Sequence, residues 1–256
     1  MRITFIGAGN VATHLAQALR ANGNEITQVY SRTEQSAKLL ADKVAATYTT
    51  SLADVRADTD MFIISVCDDA IAHIINAIGP LNDNAIYAHT AGSVPIDILR
   101  GHATRYGVMY PMQTFSKAKS MDLRRVPCYT EGSDEATLHE INALAASIFG
   151  NVREMTSQDR RYLHLAAVFA CNFTNYCYDI ASAIVGEKGI PFSDFTPLIE
   201  ESVAKLREFS PFEAQTGPAV RYDKGVMQRQ LDLLSDKPEW QAIYRLMSAG
   251  IHDRHS

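Results

Sequence analysis

The 256-residue chain has no long cluster of lysine and arginine, and its formal net charge is −5. A chain of that balance is not built to bind nucleic acid or an anionic membrane. No apolar run reaches membrane-spanning length, because the longest candidate is broken by Asn172 and Asn175. The N-terminus lacks the charged-then-apolar layout of a signal peptide, so the protein is expected in the cytoplasm. Cysteine is scarce. Cys67, Cys128, Cys171 and Cys177 form neither a CxxC pair nor a metal-type spacing, which reads as free thiols in a reducing compartment. The eight histidines contain no HxxxH or HExxH, so no metal site is expected. With 46% hydrophobic and 21% charged residues the chain is an ordinary globular one, long enough for a substantial core and two domains.

The most informative stretch is the first, Met1-Arg2-Ile3-Thr4-Phe5-Ile6-Gly7-Ala8-Gly9-Asn10-Val11-Ala12. A buried strand runs into a glycine turn. Gly7 takes the tight turn, Gly9 lets the backbone approach a pyrophosphate, and Ala12 lets the next helix pack close to the sheet. The helix Val11 to Leu19 points its amide groups and positive dipole end at the phosphates, with Asn10 and Val11 as cofactor contacts. At the end of the next strand an NAD-specific fold would carry a carboxylate. Ser31, Arg32 and Thr33 stand there instead, two hydroxyls flanking a guanidinium, a set that suits a 2′-phosphate. NADP is therefore the expected cofactor. The competing reading is a solvated loop arginine, with Thr33 capping the helix Glu34 to Val44.

Short apolar strands then alternate with helices: Ala46 to Tyr48, Met61 to Val66, Ala85 to Ala88, Tyr106 to Met109, Val126 to Thr130 and Val152 to Met155. This is the pattern of an α/β, Rossmann-type doubly wound, mainly parallel sheet. From Thr156 onward no β-branched alternation appears, and an all-α domain is expected. The boundary falls at 155, giving a dinucleotide-binding domain over 1–155 and a helical substrate and dimerisation domain over 156–256. The first helix reads as long, about Gln158 to Val185, with Thr156 and Asp159 as a capping box.

Ligands of such sheets sit at the carboxyl ends of the strands. Val66 and Cys67 would pass the nicotinamide, with Asp69 capping the helix that follows. His89-Thr90-Ala91-Gly92 ends another strand. His89 there is either a proton donor or a histidine bonded to loop backbone, and Thr90 and Gly92 face the substrate. Tyr110 to Ser116 is either a wall of the substrate site or a structural loop. On the long helix His164, Cys171 and Asn175 share a face at about 100° per residue, with Asn172 off to the side. His164 is then a second candidate proton donor and Asn172 a substrate contact, or these side chains serve interhelical and dimer packing. Thr216 and Arg221, around the break at Gly217-Pro218, could hold a substrate carboxylate; alternatively Arg221 pairs with Asp223.

Taken together, the Gly7 to Ala12 turn, the Ser31-Arg32-Thr33 tip, Asp68 to Ile71, His89 to Gly92, Pro111 to Phe115, His164 with Asn172, and Thr216 to Asp223 carry a resemblance. The chain resembles the bacterial Rossmann-like NADP oxidoreductases that bear a C-terminal helical domain of unknown function. Their relatives are pyrroline-5-carboxylate reductase and the deazaflavin-dependent NADP reductases. The resemblance implies an NADP-type fold, a helical domain that dimerises, and an oxidoreductase role without a settled substrate. One departure stands out. The related hydroxyacid dehydrogenases and ketopantoate reductases place a lysine four residues before an asparagine on the long helix, and Leu165, Val168 and Cys171 offer none. An imine, whose nitrogen is readily protonated, then fits better than a ketone. The expectation is hydride transfer between NADPH and a small carboxylate-bearing imine or keto acid. The alternative is a non-catalytic NADP-binding sensor or scaffold.

Overall fold

The computed structural model describes residues 1–256. One eight-stranded sheet organises the first part: β1 (Arg2–Ile6), β2 (Glu25–Tyr30), β3 (Thr47–Thr49), β4 (Met61–Ile64), β5 (Ile86–His89), β6 (Arg105–Pro111), β7 (Pro127–Gly132) and β8 (Asn151–Glu154). Their order is β3-β2-β1-β4-β5-β6-β7-β8, so the winding reverses between β1 and β4. Every pair is parallel except β6 with β7, where Tyr110 faces Tyr129 and Val108 faces Glu131. The sequence pattern did not announce that antiparallel pair. Its cause is the connection: between Pro111 and Pro127 the chain carries only the short turn Leu123–Arg125, not a crossover helix, so it returns alongside.

Strand alternation builds two apolar layers. Phe5, Ile63 and Ala88 face one way, into α1 (Asn10–Ala21), α2 (Glu34–Val44) and α4 (Glu135–Ile148). Ile6, Phe62, Ile64 and Tyr87 face the other way, into α3 (Asp68–Ile78), whose Ile71, Ile74, Ile75 and Ile78 repeat at helical spacing. Each buried Ile or Phe contributes roughly 1.5–3 kcal/mol, so this unit has a complete core of its own.

Beyond the sheet the chain is helical, but not as one regular rod. α5 (Ser157–Ala167) gives way to a π-helical segment, Val168–Phe173, before α6 (Thr174–Gly186). The π segment ends the regular 100° phase, so the face shared by His164, Cys171 and Asn175 in an ideal helix does not carry through. Thr156 caps α5, its hydroxyl accepting from the Asp159 amide at 3.1 Å and donating to the Asp159 carboxylate at 2.9 Å. Then follow α7 (Thr196–Lys205), α8 (Lys224–Asp232) and α9 (Pro238–His255). No helix is long and apolar enough to cross a membrane.

Two compact units divide between Asn172 and Phe173, beyond the boundary at 155 drawn from composition. The reason lies in α5. Arg160 is fully buried and donates to Glu131 of β7 at 2.5 Å, to the Val94 carbonyl at 2.6 Å and to the Ser157 hydroxyl at 3.1 Å. Glu131 in turn accepts from the Ser157 amide at 2.9 Å and hydroxyl at 2.6 Å. Breaking such a buried pair costs about 3–5 kcal/mol. The start of the helical region is thereby locked to the sheet.

Candidate functional site

At the reversal of the winding, the ends of β1 and β4 meet the glycine turn. The Gly7 amide donates to the Tyr30 carbonyl at 2.8 Å, and the Ser65 amide donates to Ile6 at 2.8 Å. Gly7 has φ +115°, and a Cβ there would lie 2.1 Å from the Ser65 carbonyl oxygen, so the fold itself demands glycine. Gly9 is different. Its φ of −76° suits any residue and a Cβ would meet no protein atom, which leaves open space above the backbone. Gly9 also caps α1 without a side-chain bond, and the first turn carries no acidic residue, so the positive end of the helix stays open.

That space belongs to a cleft of about 710 Å³, within the usual range for a small-molecule site. The sheet order sets out its lining. Ser31 and Arg32 follow β2, Gly7 to Val11 follow β1, and Ser65, Val66 and Cys67 follow β4. Thr90, Ala91 and Gly92 follow β5, and Tyr110 and Pro111 end β6. From β2 to β6 is four strand spacings, about 19 Å, so the cleft suits an elongated ligand. Arg32 is exposed and makes no ion pair. His73 and Ile74 of α3 also line this space.

The end away from Arg32 is polar but holds no lysine or arginine. The Thr90 hydroxyl donates to that of Ser65 at 3.1 Å. The Tyr110 hydroxyl lies 3.1 Å from Nδ1 of His164, one turn beyond the buried Arg160 on α5. A Cβ on Gly92 would come within 2.6 Å of His164 Nδ1 and 2.8 Å of Tyr110 Cζ. Gly92 therefore makes room for that pair. Burial raises the Tyr110 phenol above its ordinary value, as do Tyr129 and Asp68, while Arg160 acts the other way. The hydroxyl stays protonated and able to donate.

The candidate residues divide into those that reach the cleft and those that do not. Gly7, Gly9, Asn10, Val11, Ser31, Arg32, Val66, Cys67, Thr90, Gly92 and His164 line it. His89 does not. It is wholly buried, its Nδ1 accepts from the Ala91 amide at 3.2 Å, and Nε2 has no partner of hydrogen-bonding geometry. Burial, aided by Arg160, lowers its pKa to about 3. A histidine so held is neutral and out of reach of the cleft, so the structural reading replaces the proton-donor one. Thr33 begins α2 without a side-chain capping bond and lies outside the lining. The residue before α3 is Cys67, not Asp69, and Asp68 instead accepts from the Ser93 hydroxyl. Asn172 is exposed in the π segment and not in the lining. Thr216 and Arg221 are exposed residues of the second unit. Arg221 makes no pair with Asp223, which caps α8 by accepting from the Val226 amide at 3.1 Å. Sequence reasoning missed Tyr110 as an individual site residue. It sits in β6, not in the loop, and its signal was an aromatic hydroxyl at a strand's carboxyl end beside Pro111. Of the loop itself Gln113 lines the cleft, while Phe115 packs on the main core and the Ser116 carbonyl accepts from His14 Nε2 at 2.9 Å.

A doubly wound sheet with a glycine turn at its switch point, a cleft along its carboxyl edge and helices after it defines a Rossmann-type dinucleotide-binding protein with a helical C-terminal region. Comparison with known proteins narrows the class. Residues 2–91 match the family model described as NADP oxidoreductase, coenzyme F420-dependent, and residues 126–251 match a domain of unknown function, DUF2520. A Bacteroides fragilis protein described as a putative NADP oxidoreductase is 44% identical, with a TM-score of 0.95 and 98% of each chain covered. The chain belongs to this NADP oxidoreductase family with the DUF2520 C-terminal domain. An imine reductase from Myxococcus stipitatus, solved with NADP+, shares the fold at 18% identity and a TM-score of 0.74, over 99% of this chain and 93% of that one. Pyrroline-5-carboxylate reductase of Pseudomonas aeruginosa is 35% identical over 98 residues. That match spans 37% of this chain and 36% of the reductase, about a third of each.

Proposed function

We propose that the protein is an NADP-dependent reductase that transfers a hydride from NADPH to a small carboxylate-bearing imine or keto acid. The observation that carries this reading is one cleft with three features in strand order. An unpaired Arg32 stands beside Ser31 at one end, an open Gly7 to Val11 turn lies between, and a polar Tyr110–His164 pair stands at the other end. The residues fit the cofactor. Arg32 and the Ser31 hydroxyl hold the 2′-phosphate, and the free space over Gly9 and the uncapped start of α1 accept the pyrophosphate, with Asn10 and Val11 supplying amides. Thr33, outside the lining, has at most an indirect part, while Val66 and Cys67 flank the nicotinamide. When bound, the reduced dinucleotide supplies the hydride.

The remaining task of the protein is to position the acceptor and to deliver a proton. Thr90 and His164 face that end of the cleft, and Arg221, exposed and without an ion pair, is the proposed anchor for a substrate carboxylate, with Thr216 five residues before it. Asn172 is kept as a substrate contact on the same footing, as an exposed residue of the π segment. The absence of a lysine among Leu165, Val168 and Cys171 favours an imine over a ketone, in line with the imine and pyrroline-5-carboxylate reductases named above. The helical domain also serves dimerisation, since it leaves many large apolar side chains exposed.

NADPH oxidation by wild type over a panel of small imines and keto acids tests the reading, beside a binding titration with NADPH and NADH. The expected result is NADPH binding with turnover on at least one imine, lost in His164→Ala. Tight NADPH binding with no turnover across the panel would favour a sensor or scaffold, and no binding at all would end both.

A further inference from the structure

The polar end of the cleft contains a hydroxyl and an imidazole that nothing else in the fold requires to meet. Tyr110 belongs to a small apolar cluster with Val108 and Tyr129, against Leu163 of α5, and also lines the cleft. His164 reaches that hydroxyl at 3.1 Å from the other side. Glycine at position 92 is what permits the approach, since any Cβ would strike both partners. The Arg160–Glu131 lock one turn earlier on α5 fixes the level of His164 against β6, because Glu131 faces Val108, two residues before Tyr110. Three separate features thus converge on one hydrogen bond.

We infer that Tyr110, not His164, gives the proton to the substrate, and that His164 restores it. This rests on the reductase reading above and names the acid in it. In the resting site His164 Nδ1–H donates to the phenol oxygen, leaving the Tyr110 O–H free to point into the cleft. As the carbon of a C=N or C=O bond takes the hydride from the reduced dinucleotide, the Tyr110 O–H bond breaks and an N–H or O–H bond forms on the substrate. His164 passes its Nδ1 proton to the phenolate oxygen and takes one from solvent at Nε2, which its partial exposure allows. The other candidates at this end are less suited. Asp68 already accepts from Ser93, the Thr90 hydroxyl donates to Ser65, and His89 is buried. The substrate class that follows is an uncharged imine or carbonyl, because an iminium already bearing its proton needs no acid.

The test reads the tyrosine directly as well as turnover. In protein labelled with 3-fluorotyrosine, the Tyr110 resonance is assigned by its loss in Tyr110→Phe and titrated with pH in the NADP+ and NADPH complexes. The groups facing it are the His164 imidazole, Arg160 and Asp68, with Tyr129 alongside. These are common to both complexes, so a difference reports the nicotinamide ring. The oxidised ring is a cation, and the Tyr110 phenol should titrate at lower pH with NADP+ than with NADPH. In parallel, Tyr110→Phe should bind NADPH as wild type does yet reduce any imine or ketone substrate at least about 100-fold more slowly. Gly92→Ala, which leaves both side chains but forces them apart, should slow turnover likewise while the fluorine titration shifts. Identical titration in the two complexes, or turnover by Tyr110→Phe within threefold of wild type, would overturn the assignment while leaving the reductase reading intact. Failure of wild type to bind either nucleotide would instead remove the reading beneath it.

Discussion

The two compact units of this chain bury their side chains very differently. Residues 1–172 enclose two apolar layers in which Phe5, Phe62, Ile63 and Tyr87 are wholly inaccessible. Residues 173–256 bury only Ala219, Leu231 and Ser248. Leu198, Leu233 and Leu246 are 62%, 81% and 77% exposed there. In α9 the pattern is inverted, a serine inside and its neighbours Leu246 and Met247 outside. A sheet wrapped by helices satisfies itself, whereas helices with apolar residues on their outer faces call for a cover. Every residue lining the cleft belongs to the first unit. The proposed cover of the second unit is a second copy of the chain.

The comparison can be broken at several points. The largest effect is expected from charge placed on the apolar faces of the second unit. Leu198→Asp with Leu246→Asp should convert a dimer of twice 28.3 kDa into a 28.3 kDa species, with light scattering as the measurement. A wild-type monomer would contradict the proposed cover. Next comes the sheet unit itself. Gly7→Ala puts a Cβ onto the Ser65 carbonyl at positive φ and should lower stability by about 2–4 kcal/mol, read from denaturant unfolding.

A second stress on the same unit is acid. His89 has a folded pKa of about 3 against an ordinary 6.5. Between those values only the unfolded chain takes the proton. Its contribution is complete above pH 6.5 and fades as pH falls toward 3, with a slope of at most about 1.4 kcal/mol per pH unit. His89→Gln, which keeps an acceptor for the Ala91 amide, should flatten the stability profile over that window. An unchanged slope would show that His89 is not the buried neutral group described.

How much of this could be read beforehand differs between the units in the same way. The strands of the first are short apolar runs bounded by turns, and α2 was placed at Glu34 to Val44, the bounds it has. That Gly7, Ser31, Arg32 and Val66 line the cleft was legible because the switch-point geometry ties sequence position to cleft position. His89 stayed open between two readings because a strand end does not say which way its ring faces: the ring is wholly buried, while its neighbour Thr90 lines the cleft. Tyr110 was hidden by its distance in sequence from His164, a contact that only the antiparallel return of β7 and the buried Arg160 bring about. In the helical region, periodicity alone does not reveal a π segment, so the faces computed across it were those of an ideal helix.

The central claim is that Ser31 and Arg32 mark the 2′-phosphate end of a dinucleotide cleft. Titration of wild type and Arg32→Ala with NADP+ and NAD+ at fixed salt tests it most directly. Charge-assisted bonds contribute about 1.5–3 kcal/mol, so NADP+ should bind roughly 10- to 100-fold more weakly to Arg32→Ala while NAD+ affinity barely moves. Equal affinity of wild type for the two nucleotides, or an equal loss for both in the variant, would contradict it.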